Sequence, residues 1–510
     1  MTAVTLPSRS RLGVDVLAYG LALGIVGDLL LRAVPWGLNF SLWICALMGV
    51  GYWLVRRYQL PVAVDFSWLA LSVVLCAFAF VRHDSQSLHL IDLATLVVLL
   101  SLTALATQGG QIRMRGLSTY VNATIVACAH AWSGTPRLLF RDIGWNAVTG
   151  RGRWSQLRAV GIGLLVAAPL LIVFGGLFVS ADAGFESLVK SLRIDVPTLA
   201  SHIVLTGVIG GLATGALRGA MMGSSETAGV GERTASPELG FTSAITALGT
   251  LDLLFLVFVS LQLRYLFGGA AVIAATTGLT VAEYARRGFF ELVTASALVL
   301  PVLLVADWAT LVEGSRQRNI FRLLAGLLVA LVGVLLVSAL QRMLLYVNAF
   351  GLTELRLYTT AFMVWLGGVF VWFTLTVLTD GRPRFAFGAL AQALVVLGAL
   401  HIANPDALIA RVNLTMPRSN SVYDERSGRG NRLHLANPEI DADYIARKLS
   451  ADAVPVLLNE FWRVPDKAGV ARTLLERWGP DTRGDWRSWN WSEGQARRLV
   501  AAYAEELKHY

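Results

Sequence analysis

Charged residues are scarce in this sequence of 510 residues. Asp, Glu, Lys and Arg make up only 15% of the chain, whereas 55% of it is hydrophobic and the mean hydropathy is +0.59. A soluble domain usually carries about 25% charged residues, so these charges are too few to cover the surface of a soluble protein of this length. The composition therefore predicts an integral membrane protein.

Cysteine is rare as well, and the familiar catalytic motifs are missing. Three cysteines exclude a disulfide scaffold, and the apolar content excludes a disordered chain. The sequence has no phosphate loop, no zinc-protease motif, no nucleophile elbow and no Cys-x-x-Cys pair, and its seven histidines are dispersed. The sequence thus predicts neither a metal nor a cofactor and gives no reason to assign an enzyme activity.

Long apolar runs are what the sequence has instead. A bilayer core about 30 Å thick needs roughly 20 helical residues, and eleven runs qualify: 14–34, 38–55, 62–81, 88–107, 157–180, 198–221, 242–267, 289–312, 321–347, 360–379 and 385–402. The predicted fold class is all-α, a polytopic transmembrane helical bundle of about 11 spans with a C-terminal soluble helical domain. Residues 1–13 form an N-terminal segment, 14–403 the transmembrane domain and 404–510 the tail.

The arginines and lysines of the loops predict the orientation. With the N-terminus in the cytoplasm, the inner segments hold 18 of these residues and the outer loops 9, as the positive-inside rule requires. Eleven spans then place the C-terminal tail outside. The tail holds 16 basic and 15 acidic residues, so the net charge of +9 belongs mainly to the membrane part, and we expect no nucleic acid as a partner.

An arginine-rich segment separates the fourth and fifth spans. Residues 117–132 are apolar but short, and we interpret 112–156 as an interfacial amphipathic segment with tryptophans at the headgroup level. Seven arginines in 113–158 accompany one acid, Asp142. We interpret the segment as a positive-inside loop that also touches anionic lipid; a specific anionic ligand is the alternative.

Two stretches of the second half, about 242–312 and 321–384, resemble each other as two-helix units. Residues 259–262 (VSLQ) match 337–342 (VSALQR), and each stretch is followed by Gly-Leu-Thr, at 278–280 and 351–353. Two spans per unit give the copies the same orientation, a parallel repeat. Because few residues are identical, chance similarity of helix ends is the alternative.

Charged residues of the first unit form a candidate intramembrane polar network. Glu283, Arg287 and Glu291 are spaced by four residues and therefore share a helix face. A hairpin of the seventh and eighth spans would bring Arg264 to the depth of Glu291, where a paired arginine is far less costly than a lone one.

Asp252 and Asp307 fall at a similar depth near the opposite ends of the same two spans. Two carboxylates at one site share a proton. The alternative is that both lie in the wet inner interface, since acids near span ends are common.

The sixth span carries a glycine at every fourth position, at Gly207, Gly211, Gly215 and Gly219. Glycine lets a neighbouring helix approach closely, so this ladder predicts helix packing; a moving or oligomerising interface is the alternative.

The composition changes after residue 402, and the spacing of aromatic and charged residues in the tail is typical of short helices. Residues 417–431 are typical of a flexible linker. Trp486, Trp489 and Trp491 with Asp485 could form a sugar-stacking patch, but tryptophans of a small helical domain usually fill its core or touch the bilayer.

Several segments resemble a family of bacterial multi-pass membrane proteins catalogued as a domain of unknown function. They are 280–292 (TVAEYARRGFFEL), 351–358 (GLTELRLY), 403–414 (ANPDALIARVNL) and 449–455 (LSADAVP). The resemblance covers roughly the last two thirds of the chain. It implies a location in the bacterial inner membrane and no particular activity.

Two functions are consistent with these features. The first is a non-enzymatic sensor, scaffold or assembly factor whose outer tail meets a protein partner. The second is a transporter or channel that uses the intramembrane carboxylates.

Overall fold

The structure is a computed structural model of the chain. It describes residues 8–109, 112–145, 163, 167, 170, 174–178, 180–182, 195–223, 240–277, 289–310, 314–415, 442–480 and 485–510. The elements in these ranges are helices, as expected for a chain whose backbone polar groups must be satisfied inside a bilayer.

Nine helices of the described ranges are long and apolar enough to cross a membrane. This confirms the all-α, multi-pass membrane fold, and each of the nine coincides with a predicted span. They are α1 (Ser8–Leu31), α2 (Leu38–Arg57), α4 (Gln86–Ala106), α6 (Val196–Met222), α7 (Phe241–Thr277), α8 (Phe289–Ala309), α9 (Ser315–Phe350), α10 (Glu354–Thr376) and α11 (Phe385–Ala403).

The third predicted span is a shorter helix, α3 (Phe66–Arg82), of 17 residues. Asp65 directly before it is buried and accepts hydrogen bonds from the backbone amides of Ile112 and Arg113. The Arg113 guanidinium completes an ion pair with the same carboxylate at 2.8 Å. The start of α3 is therefore tied to the connection after α4. The fifth predicted span, 157–180, lies largely outside the described residues.

The segment after α4 contains α5 (Leu117–Arg137), which continues into a π-helical turn at Leu138–Asp142. Near its start, Tyr120 donates a hydrogen bond to the Ile112 carbonyl, and at its far end Arg218 of α6 pairs with Asp142 at 2.8 Å. Both contacts lie at the end of the bundle where α4 and α6 finish. The interfacial position of this segment remains a prediction.

Glycines bring α6 close to two neighbours. A Cβ added at Gly215 would collide with the Ala131 carbonyl oxygen of α5, and one at Gly219 would lie 2.6 Å from the His130 Cβ. On another face, α6 approaches α1, where a Cβ at Gly24 would meet the Thr206 carbonyl oxygen at 2.5 Å. At Gly207 and Gly211 an added Cβ would meet no atom within 4 Å, so the ladder packs tightly over its second half only.

The second half of the bundle is built around α9, which contacts α7, α8 and α10. Leu328 and Val332 of α9 are fully buried in a core that also contains Leu303 of α8 and Phe373 of α10. The last helix, α11, returns to the first half, where Leu397 joins the hydrophobic core of α3 and α4.

Six short α-helices lie in the described part of the C-terminal domain. They are α12 (Pro405–Thr415), α13 (Ala442–Lys448), α14 (Val454–Asn459), α15 (Lys467–Trp478), α16 (Trp491–Ala502) and α17 (Ala504–Lys508). Their apolar faces share one core, in which Ile409, Leu474 and Val500 are fully buried. Leu352, from the connection between α9 and α10, inserts into the same core, so the domain is packed onto the membrane part.

The start of α1 and the C-terminal domain lie at opposite ends of the bundle. Tyr58, just after α2, donates a hydrogen bond to Asp15 in the second turn of α1. The other end of this hairpin, the α1–α2 connection, contacts the C-terminal domain, where the Leu38 amide donates to the Trp489 carbonyl at 2.9 Å.

We predict that Gly215→Ala destabilises the protein and that Gly211→Ala does not. The new methyl group at position 215 would collide with backbone of α5, and overpacking of this kind costs about 1–3 kcal/mol. At position 211 the methyl group meets open space, and alanine favours the helix. Thermal unfolding of both variants in detergent measures the difference; equal stability of the two would contradict close packing at Gly215.

We also predict that reporters fused at the N-terminus and after Tyr510 lie on opposite sides of the membrane, because the two ends of the chain sit at opposite ends of the bundle. Paired fusions to green fluorescent protein and alkaline phosphatase, which work on opposite sides, measure this. We expect the N-terminus to be cytoplasmic; both fusions on one side would contradict the arrangement of the helices.

Candidate functional site

The two aspartates predicted to share a proton have different surroundings in the structure, and their sharing of a proton remains a prediction. Asp307 lies 2.7 Å from Arg382, in the α10–α11 connection, at an ion-pair distance. Asp252 is buried in α7, and neither of its carboxylate oxygens has a hydrogen-bond partner in the described part of the chain. No hydrogen bond among the described residues joins the two.

The other members of the predicted polar network are only partly described. Glu291 is exposed in the first turn of α8. Arg264 lies in α7, but its side chain is outside the described residues, as are Glu283 and Arg287 entirely. The pairing of these groups therefore remains a prediction.

The matching segments of the two repeat units contact each other. Gln262 accepts hydrogen bonds from the Ser338 hydroxyl at 3.2 Å and from the Arg342 guanidinium at 2.8 Å. All three side chains are buried. Residues noted in the sequence only for their similarity therefore form a polar contact between α7 and α9.

A dense set of polar contacts joins the C-terminal domain to the α3–α4 connection. At its centre is Asp452, in a 3₁₀ turn between α13 and α14, with 3% exposure. Its carboxylate accepts hydrogen bonds from five groups: His83 Nδ1 (3.0 Å), the Asp84 amide (2.8 Å), Asn404 Nδ2 (2.9 Å), the Ser450 hydroxyl (3.1 Å) and the Ser492 hydroxyl (2.6 Å). We call this set the Asp452 junction.

The Asp452 junction stabilises an ionised carboxylate inside the protein. Burial alone would raise the pKa of Asp452, but the hydrogen bond and charge of His83, with the Ser492 hydroxyl and the Asp84 amide, hold that pKa below its usual value. Charge-assisted hydrogen bonds of this kind are stronger than neutral ones. Removing one partner of a buried ion pair typically costs about 3–5 kcal/mol, so Asp452 is a principal anchor of the domain.

A second His–Asp pair continues the junction into the membrane part. The His401 ring, near the end of α11, stacks on His83 with centroids 5.4 Å apart. Its Nε2 atom lies 2.9 Å from the fully buried carboxylate of Asp92 in α4. Cys76 of α3 donates a long hydrogen bond to the Asp92 carbonyl. A continuous series of polar side chains thus runs from the C-terminal domain to α4.

Two further acids flank Asp452. Asp84 accepts hydrogen bonds from the Ala451 amide and from Asn490, each at 3.1 Å, and Asp406 accepts one from the Ser450 amide at 3.1 Å. Burial, together with the charge of Asp452, raises the pKa of both Asp84 and Asp406 to about 6. The junction therefore contains acids that titrate close to physiological pH.

The second Gly-Leu-Thr segment is a separate docking point for the C-terminal domain. The Asn413 side chain of α12 accepts a hydrogen bond from the Leu352 amide and donates one to the Leu352 carbonyl, both at 2.7 Å. Gly351, before it, has a φ of +78°, a conformation that favours glycine. Two of the family-like segments of the sequence, 351–358 and 403–414, thus bind each other.

The tryptophan-rich segment of the tail lies at the edge of the membrane part. Arg487 donates a hydrogen bond to the Leu29 carbonyl at 2.8 Å, near the end of α1. Trp486, Trp489 and Trp491 are each more than a third exposed, so they do not fill the domain core.

The residues of the Asp452 junction are suited to holding the C-terminal domain on the membrane part. Among the described residues no three His, Cys, Asp or Glu side chains are placed to hold a metal ion. The Asp452 carboxylate is already occupied by five donors, so it has little capacity left for a substrate. What the junction can do is bind or release a domain and exchange protons as it does so.

Sequence reasoning did not identify the junction residues as a site. His83 and Asp452 are 369 positions apart, and no local pattern joins them. A signal was present, however: Asp406 and Asp452 lie in the two tail segments that resemble the family, 403–414 and 449–455. Because these family-like segments contain no catalytic motif, their acids were candidates for a contact between domains.

Comparisons with known proteins identify the family. A family model described as a domain of unknown function, DUF4153, matches residues 70–460. That range is more than half of the chain and includes both His83 and Asp452. No curated protein matches the chain, and no solved structure matches it. The chain belongs to the DUF4153 family and is an integral membrane protein.

We predict that Asp406→Asn makes stability less sensitive to pH between about 4 and 6. The pKa of Asp406 is raised from 3.8 to about 6 by folding, so in this range the folded state keeps a proton that the unfolded state releases. The stabilisation is complete below about pH 4 and is lost as the pH rises through about 6. The asparagine side chain can still accept the hydrogen bond from Ser450, but it has no carboxyl group that can ionise.

Thermal unfolding of the full chain in detergent from about pH 4 to 8 measures this effect. Asp443→Asn, which removes an exposed acid paired with Arg447, is the matched control and should keep the wild-type profile. An Asp406→Asn profile as steep as the wild-type one would contradict the raised pKa.

Proposed function

We propose that this member of the family is a non-enzymatic scaffold or sensor of the bacterial inner membrane whose C-terminal domain meets a protein partner outside. The observation that carries the proposal is the Asp452 junction, which fixes a separate helical domain on one end of the bundle. A domain held in one orientation presents a constant surface to a partner, as a scaffold requires.

The titrating acids of the junction favour a sensor over a passive scaffold. Asp84 and Asp406 have pKa values of about 6 beside an ionised Asp452. Above that pH all three acids are ionised in a buried space, and their repulsion weakens the contact. The junction is thus a two-state element that an external pH change biases.

Lipid is the second partner in this proposal. Trp486 and Trp491, exposed beside the end of α1, suit the headgroup region of the outer leaflet. At the opposite end, Arg115 and Arg141 are exposed in the arginine-rich segment and suit anionic lipid. Arg113, by contrast, is paired with Asp65.

A transporter or channel is the alternative function. The observation that favours it is Asp252, a buried acid without a hydrogen-bond partner in the described part of a spanning helix, since intramembrane acids commonly mark ion pathways. Ion flux in reconstituted vesicles that is lost in Asp252→Asn would favour this function over the scaffold.

We predict that Asp452→Ala reduces recovery of the partner at least about tenfold in quantitative pull-downs from solubilised membranes. The substitution leaves five donors without their acceptor. If the loss of domain orientation weakens the binding free energy by about 1.4 kcal/mol, the affinity for the partner falls tenfold. Asp443→Ala removes an exposed acid of the same domain and should leave recovery unchanged. If a chain ending at residue 403 recovers the same partners, the proposal is wrong.

A further inference from the structure

Asp252 differs from the other buried acids of the described spanning helices. Asp28 pairs with Arg32 and His202, and Asp92 pairs with His401. Asp252 is 4% exposed, and both of its carboxylate oxygens are buried with no hydrogen-bond partner within the described ranges. It is therefore a buried acid whose charge no neighbouring group balances there.

The depth of Asp252 places it well inside the bilayer. It lies eleven residues after Phe241, where α7 begins, and at 1.5 Å per residue this is roughly 16 Å along the helix. The hydrocarbon core is about 30 Å thick, so a helix that enters it at Phe241 has Asp252 near the middle of the core. Water at the membrane surface cannot solvate a carboxylate at this depth.

A second polar group without a partner lies on the neighbouring helix. Ser296 of α8 is 1% exposed, and its hydroxyl has no hydrogen-bond partner among the described residues. Most serines and threonines of the described helices donate to a carbonyl one turn back, as Ser260 and Thr250 of α7 do. The Ser296 hydroxyl is free of that bond.

Core contacts place the two groups at neighbouring depths of antiparallel helices. Val259 of α7 shares a buried cluster with Leu292 of α8, and Leu248 of α7 shares another with Leu303 of α8. Asp252 lies between the two α7 positions, and Ser296 lies between the two α8 positions. Both groups are therefore in the same apolar layer.

The free-energy cost of burying a charge determines whether such a carboxyl group is ionised or protonated. An isolated carboxylate in an apolar medium is so unfavourable that the group takes up a proton instead. We propose that Asp252, in the same apolar layer as Ser296, is a reversible proton-binding site inside the membrane. A proton delivered by a hydronium ion forms one O–H bond on the carboxylate and leaves water; the reverse transfer restores the carboxylate. The site is independent of the scaffold function, and proton binding holds whether or not the protein transports ions.

Labelling with dicyclohexylcarbodiimide tests the proposal directly. A protonated carboxyl group in an apolar environment adds to this carbodiimide and rearranges to a stable N-acylurea, with no other reactant needed. We expect mass spectrometry of the full chain in lipid vesicles to find Asp252 modified at neutral pH, at least about tenfold more than the exposed Asp380, which is paired with Arg318 and Arg322. Modification should fall as the pH is raised.

Variants and ions separate the possible outcomes. Asp252→Asn should abolish the label, and Asp380→Asn should leave it unchanged. Asp252→Glu, which keeps the acid, should retain the label if the asparagine variant fails to fold. Infrared difference spectra of the wild type should show a protonated carboxyl band that Asp252→Asn lacks.

Absence of both the label and the infrared band in the folded wild-type protein overturns the proposal. Replacing choline chloride with sodium chloride at constant pH should leave labelling unchanged; tenfold protection by sodium would show a cation site instead and also overturn it. Labelling without any proton flux would refute the transporter alternative alone. Loss of partner binding in Asp452→Ala is a separate result, since Asp252 and Asp452 belong to different parts of the chain.

Discussion

The absence of water from the bilayer core is the constraint on which the rest of this structure depends. Each backbone amide and carbonyl inside the membrane must find a partner in the chain itself, which leaves helices as the solution for the nine apolar segments within the described ranges. Polar side chains face the same requirement. Asp65, Asp307 and Asp142 meet it near the ends of helices, where each pairs with an arginine. The C-terminal domain is fastened at one of these ends, where polar contacts between two parts of the chain cost least.

An anchor made of hydrogen bonds acts differently from one made of apolar surface. The domain already has its own hydrophobic core, with Leu352 as the membrane part's contribution to it, and apolar packing alone tolerates small shifts in angle. The Asp452 carboxylate does not, because its five donors come from four separate stretches of chain and must all point to one group. The domain is therefore held in a single orientation, and the acids beside it make that orientation dependent on protonation.

The sequence predicts the membrane part of this fold well because the signal is local. An apolar run of about 20 residues is what forms a transmembrane helix, and the same run can be recognised directly in the sequence. The exception is α3, a shorter helix, and Asp65 directly before it is bound by residues 112 and 113, a contact that no window of the sequence contains. The same limit applies to the junction: His83 lies in a polar turn of ordinary appearance, and its partner is 369 residues away. The similarity of 259–262 to 337–342 was visible, but the contact of Gln262 with Ser338 and Arg342 was not.

The end of α11 connects a polar contact inside the helical bundle with the Asp452 junction outside it. His401 near its end is the partner of Asp92 inside the bundle, and Asn404, directly after it, donates to Asp452 outside. The two positions are less than one turn apart, so the end of α11 cannot shift without changing both contacts. Opening of the Asp452 junction would therefore disturb the hydrogen bond between His401 and Asp92, a fully buried acid. Because leaving Asp92 unpaired is costly, the membrane part resists release of the domain, and the outer and inner contacts stabilise each other through this single helix end.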